Sequence, residues 1–586
     1  MSKTNKKIKE KTEVEKSNLK VILENCSGSL LNSNKEHQIK SEGITLIALV
    51  LTIVILIILA TITINFAFGE NGLIRSAESA RDFYADDTKY TEESISNVES
   101  YIDGIINDAS IEVEQVTDGN PGQLEQESDT TLVINSIEDL VFFSYDVTNN
   151  GNTYEGKTVK LGLSLDFNSD KSYVDPNSTD YIKYGYNGPL KQSLVSGSGF
   201  IPIGEQREDG TNYFYGTFDG DNKAICSLYI NINSNQGVNA GFFSKARGNI
   251  KNLGLVNADV IVVGALANVG ILSASGGTSE NNIFNCYATG KLNVTGNSWM
   301  CVGGLCGVAS ANIENCYNLV NIECKDTYSG QENMSNISCG GIVGRFSGVN
   351  INKCYNKGNI ICDGGNNAII VAGICGSATN QEGDIKNCYN NGKIETMGQG
   401  TRFDKSLSGI VANSNLSDIA YCYNSGELVC NAENSNIGGI VAIQHKALEI
   451  SNIFNIGKID VKEENINYLG GIIATISAAE ANVNMNNAYN TGIINVENPV
   501  IQEIGSIAGY NWNNLITFNN CNYLLGTYDK GVGVISSYTG VIELDSIDKF
   551  PSVLEVVNVE GAFEEDRSNI NNGYPILSWQ QNNVKE

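Results

Sequence analysis

Histidine is nearly missing from this chain of 586 residues, which holds His37 and His445 and no others. That excludes a Cys/His zinc signature and leaves no credible Ser/His/Asp set. There is no CxxC pair, no HExxH and no phosphate-cradling glycine loop; the glycines follow a repeat period instead. No metal or cofactor is expected. Basic charge is also scarce, with 38 Lys and Arg against 66 Asp and Glu. Residues 1–43 hold nine lysines and six glutamates, so the remaining 29 basic and 60 acidic residues leave the body strongly acidic. Such a body has no electrostatic attraction for nucleic acid or an anionic membrane surface, and no nucleic-acid partner is expected. Cysteine, by contrast, is plentiful at fifteen. In an exported chain that number suggests disulfides. Here most cysteines recur singly at equivalent points of a repeat, so like stacks on like, and they read as small buried apolar fillers.

The longest uncharged stretch is Ile44 to Phe68, 25 residues interrupted only by Thr45, Thr52, Thr61, Thr63 and Asn65. As a helix rising about 1.5 Å per residue it spans a hydrocarbon core of roughly 30 Å. The basic flank before it favours an inside N-terminus. The expectation is a single-pass cell-membrane protein with its acidic C-terminal part extracellular. On this reading residues 1–43 are a disordered basic leader and 44–68 the transmembrane helix. Leu73, Ile74, Ala77, Ala80, Phe83, Tyr84, Ile95, Val98, Ile102, Ile105 and Ile106 recur at helical spacing and make 69–108 an amphipathic stalk helix. Residues 109–130, acidic and holding Asn120-Pro121-Gly122, read as a linker.

From Thr131 short β-rich runs take over. Residues 131–240 read as the N-terminal part of a solenoid, with a short helix from near Ser136 capping its end. Asp219-Gly220-Asp221-Asn222 reads as a tight turn between strands rather than a calcium loop. Residues 241–525 then repeat. A glycine followed by an apolar pair stands at Gly241, Gly270, Gly304, Gly341, Gly373, Gly409, Gly439 and Gly471. A second element, of the form NCYNxGxI, places aromatics at Tyr287, Tyr317, Tyr355, Tyr389, Tyr423, Phe454 and Tyr489, spaced by 30 to 38 residues. Units of two or three short β-branched strands cannot bury their apolar side alone, so they stack. The predicted fold is an all-β, right-handed parallel β-helix (β-solenoid) behind the N-terminal transmembrane and stalk helix. Propeller blades would need four antiparallel strands each, and these units are too short. The glycines are expected to allow positive φ or close backbone approach, the asparagines to form ladders, and the aromatics to stack coil on coil. Residues 526–586 read as a C-terminal cap closing the last coil and masking its edge.

Two resemblances add to this. Ser41-Glu42-Gly43 followed by ITLIALVLTIVILI resembles the prepilin-type cleavage and methylation segment of type IV pilins and pseudopilins. The resemblance implies cutting between Gly43 and Ile44 by a prepilin peptidase, and pilin-like subunits as partners. Ala48 stands where those proteins usually carry Glu, which puts polymerisation in doubt. The units GGLCGVASANIENCYNLVNI and CGGIVGRFSGVNINKCYNKGNI resemble the GLUG motif, which occurs in immunoglobulin-A proteases and assorted bacterial surface proteins. The absence of HExxH means that the zinc-protease activity does not carry over. Acidic residues such as Glu314, Asp384, Asp418 and Glu427 occur singly, without the paired carboxylates that polysaccharide cleavage needs. The expectation is therefore not an enzyme. It is a membrane-anchored adhesin or binding scaffold for a glycan or host surface protein, with a minor pilin or pseudopilin carrying a large solenoid as the alternative.

Overall fold

A computed structural model describes residues 124–167, 199–207, 210–329, 336–380, 382–399, 405–416, 418–446, 448–477, 482–497, 501, 503–511, 514–534, 538–546, 549, 561–567, 569 and 571–583. All belong to the compact unit Ala109–Glu586. Gly43, Ile44, the leader, the transmembrane and stalk segments and most of the linker lie outside the described residues. Among the described residues no helix is long and apolar enough to cross a membrane.

The chain winds as a right-handed-type β-solenoid of about nine turns. Three walls run along it, sheets of 25, nine and eight strands. Within the repeats the pairing is parallel, which excludes a propeller. Stacking in register puts like on like. In the largest wall one inward column reads Ile250, Ile283, Ile313, Ile351, Ile385, Ile419, Ile450, Met485 and Phe518. In the nine-stranded wall another reads Ala240, Val269, Val302, Cys339, Val371, Leu407, Ile437, Leu469 and Ile504. Nearly all of these are fully buried. Each coil supplies only a thin slice of core, and burial is complete only because the next coil covers it.

The repeat glycines act by close approach and not by dihedral freedom, since none of the eight has positive φ. A Cβ on Gly439 would lie 1.9 Å from the Gly471 carbonyl oxygen, and one on Gly341 would lie 2.1 Å from that of Gly373. Positive φ falls instead on the residue two before each aromatic. Asn285, Asn315, Lys353, Asn387, Tyr421, Asn452 and Asn487 all have φ between 52° and 55°. Asparagine tolerates this left-handed conformation better than other side-chain-bearing residues.

At the N-terminal end, helix α1 (Ile137–Thr148) is capped by Ser136, whose Oγ accepts from the Asp139 amide at 3.1 Å. It lays Phe143 against Phe214, Phe218 and Tyr154 and so covers the first coils. Asp219–Asn222 is not a turn between strands. It lies inside the strand Thr217–Cys226, where Asp221 and Asn222 adopt positive φ and the register against the neighbouring strand shifts. The extra residues are absorbed as a bulge. Its carboxylates pair with Lys251 at 3.0 Å and Lys223 at 2.7 Å.

The C-terminal cap is split. Val541–Leu544 pairs with the strand Ile516–Leu524 and extends the largest wall by one strand. Beyond it, Phe563–Glu564 and Ile576–Leu577 form an antiparallel pair that leads into a short helix, Ser578–Asn583. This last segment lies along the side of the solenoid, over the aromatic column.

Candidate functional site

The NCYN element builds two columns with opposite fates. Asn285 turns the backbone through positive φ, so Cys286 points inward and Tyr287 outward. One residue further on, Asn318, Asn356, Asn390, Asn424, Asn455 and Asn490 are fully buried. Each of the first five donates its Nδ2 to the Oδ1 of the next at 2.7–2.8 Å, and Asn490 donates to the Gly492 carbonyl at 3.2 Å. Asn356 also donates to the Gly358 carbonyl at 2.9 Å, so the amide has both of its roles met.

The aromatic column runs on the outside. Tyr287, Tyr317, Tyr355, Tyr389, Tyr423, Phe454 and Tyr489 stack with centroids 4.8–4.9 Å apart and planes within 11°. At the lower end Tyr287 lies over Gly254, whose missing Cβ would fall 2.4 Å from the tyrosine Cζ.

The column has a covered half and an open half. Trp579 lies over Tyr389 and Tyr423, with centroids 5.9 Å away and planes inclined by 26° and 30°. Phe563 packs on Tyr489 at 5.9 Å and Phe454 at 6.4 Å. The Tyr489 hydroxyl donates to the Pro575 carbonyl and accepts from Asn571 Nδ2 at 2.8 Å. Burial pushes the phenols of Tyr389, Tyr423 and Tyr489 above their ordinary range. In the other half, Tyr287, Tyr317 and Tyr355 remain half-buried. Lys357, at the boundary, holds Nζ 5.4 Å from the Tyr355 ring centre, and burial lowers its pKa.

The acidic residues are not single. Asp384 and Asp418 sit in register on neighbouring coils, with Lys386 Nζ between them at 3.2 and 2.7 Å. The hydrogen bond to Asp418 leads in raising the Lys386 pKa. Glu427 is 3.6 Å from Lys458, and Glu314 accepts from Asn352 at 3.2 Å. These groups are partly exposed, and the ion pairs of Asp384, Asp418 and Glu427 are weak and screened.

All fourteen described cysteines are free, and all but Cys226 are buried. Cys316, Cys354, Cys388 and Cys422 each hold Sγ 3.1–3.2 Å from the carbonyl two residues earlier and 3.6–3.7 Å from an isoleucine carbonyl of the previous coil. A separate group, Cys324, Cys339 and Cys362, converges from two walls, with all three Sγ atoms within 4.8 Å of one another. Reading single positions along the sequence misses this group, because Cys339 belongs to a different wall from the other two. Only the register of the coils brings them together.

A family model described as the GLUG motif matches residues 300–323, which run from the Trp299–Gly303 strand to the outward Tyr317 and beyond. No curated protein matches the chain. Among solved structures, the chain is similar to a "crystal structure of a putative immunoglobulin A1 protease from Bacteroides ovatus" at 17% identity and a TM-score of 0.36. That alignment covers 77% of this chain and 92% of the other.

Proposed function

We propose that this chain is a binding scaffold displayed on a bacterial cell surface, tethered by Ile44–Phe68, and that it acts by contact and not by turnover. The contact face is the open half of the aromatic column, Tyr287, Tyr317 and Tyr355. One observation carries this reading. In the other half Trp579 rests on the same kind of rings, its plane inclined by 26° and 30° to theirs, so the column accepts a flat ring from outside. The occupant there is polypeptide, which favours a protein partner presenting aromatic side chains over a glycan. Such stacking is worth roughly 0.5–1.5 kcal/mol per ring beyond area burial, so several rings in line are needed for useful affinity.

The test is binding of the full chain, in detergent, to peptide and glycan arrays, beside a Tyr317→Ala/Tyr355→Ala variant. Aromatic-containing peptides retained by the parent and lost by the variant support the reading. Retention no better than that of an unrelated acidic protein sinks it, and selective glycan retention replaces the partner class. A second reading, a pilin-like subunit, is motivated by Gly43-Ile44 and the run that follows. It requires a mature chain that begins at methylated Ile44 and is recovered in sheared filaments. Recovery in membranes alone would sink it.

A further inference from the structure

The Cys324, Cys339 and Cys362 group departs from the repeat in a way that filler residues do not explain. In its own column Cys339 stands between Val302 and Val371, followed by Leu407 and Ile437. A branched aliphatic is what every neighbouring coil supplies. Cysteine takes that place in the one coil where it faces two others, Cys324 and Cys362, stacked in register on the opposite wall. Their own column runs from Val262 and Val294 through Cys324 and Cys362 to Thr396, Cys430 and Val461. All three are buried.

We propose that Cys324, Cys339 and Cys362 form a three-coordinate thiolate site for a soft monovalent cation, Cu(I), enclosed between two walls of the solenoid. A metal–sulfur bond of about 2.3 Å places three trigonal sulfurs about 4.0 Å apart. The Cys324 and Cys339 sulfurs are 3.9 Å apart, and all three lie within 4.8 Å. A structural zinc ion completes a tetrahedron with four donors. The group here has three, and the column neighbours are apolar apart from Thr396. Soft sulfur ligands select Cu(I). The ion enters as Cu(I), so loading changes no oxidation state. It displaces thiol protons to solvent, and it precedes closure of the coils that bury the site.

The full chain, produced with copper and purified under reducing, anaerobic conditions, tests this. The readouts are copper per chain and the sulfur shell seen by X-ray absorption. Cys339→Val installs the residue that Val302 and Val371 already place in that column, so folding is preserved, and circular dichroism checks it. Cys375→Val is the matched control, a buried thiol between Val343 and Val411 in another column. The expected result is a three-sulfur copper shell in the parent and in Cys375→Val, with one equivalent less copper and no three-sulfur shell in Cys339→Val. Copper content and shell unchanged by Cys339→Val overturn the proposal. So does a parent that takes up no copper, or one in which Cys324 and Cys339 are joined as a disulfide.

Discussion

The two halves of the aromatic column share one backbone geometry and one ring spacing, and the asparagine ladder runs beneath both from Asn318 onward. They differ in what lies on top. Over Tyr389 to Tyr489 the chain folds its own C-terminal segment back, and Phe454 and Tyr489 become fully buried. Over Tyr287 to Tyr355 the same kind of surface stays half-buried. A ring column therefore does not need a lid to form, because stacking along the axis suffices. Where a lid is present, it converts surface rings into core.

The largest expected effect separates the halves by stability. Phe454→Ala removes a ring buried between Tyr423, Tyr489 and Phe563 and should cost about 3–5 kcal/mol in urea unfolding. Tyr317→Ala, in the open half, should cost closer to 1 kcal/mol. Equal costs would mean that the lid contributes nothing.

The next effect should ignore the division. Asn424→Leu and Asn356→Leu each strand the buried amides above and below, and each should cost about 2 kcal/mol whichever half it falls in. A difference of more than about 1 kcal/mol between the two would show that the lid, and not the amide ladder, sets local stability.

Alkaline pH should then act on the covered half. The Tyr489 phenol is raised in the folded state, so its contribution is fully present below the unfolded value near 10. That contribution is lost as pH rises through the higher folded value, because only the unfolded state ionises first. Proteolysis near residues 561–583 should accelerate above pH 10, and Tyr489→Phe should flatten that dependence while losing the bonds to Pro575 and Asn571. A pH-independent cleavage rate would refute the link.

The smallest effect is on the backbone. Lys353→Asn relieves a non-asparagine residue at φ 52° and should raise stability by up to about 1 kcal/mol. Tyr421→Asn makes the same backbone change under the lid. There Tyr421 packs against the Tyr423 and Phe454 cluster, so the gain should vanish. Matching gains at the two sites, read as urea midpoints, would show that the lid does not engage Tyr421.

The solenoid, its repeat period and the outward aromatic column were legible because each is written in the spacing of residues in a single coil. Tyr at a fixed step after Asn repeats often enough for stacking to follow from parallel pairing alone. The split of the C-terminal cap was not legible. Residues 526–586 read as a cap closing an end, and nothing local says that Phe563 and Trp579 turn sideways onto Phe454 and Tyr389. Asp384 and Asp418 looked isolated for the same reason, being 34 residues apart in sequence and adjacent in register. Asp219–Asn222 looked like a turn because its residues favour turns, whereas parallel pairing on both sides held it within a strand as a bulge.

By itself, the sequence determined the periodic part of this protein. Hydrophobic alternation, glycines where backbones touch and asparagines where φ is positive each act within one coil or between identical neighbours. The tertiary structure alone decided what depends on contacts between unlike segments: which rings are covered, which carboxylates share a lysine, and which three cysteines meet. Those contacts are set by the number and length of the intervening coils. That is a sum over the whole chain, and no single stretch of residues contains it.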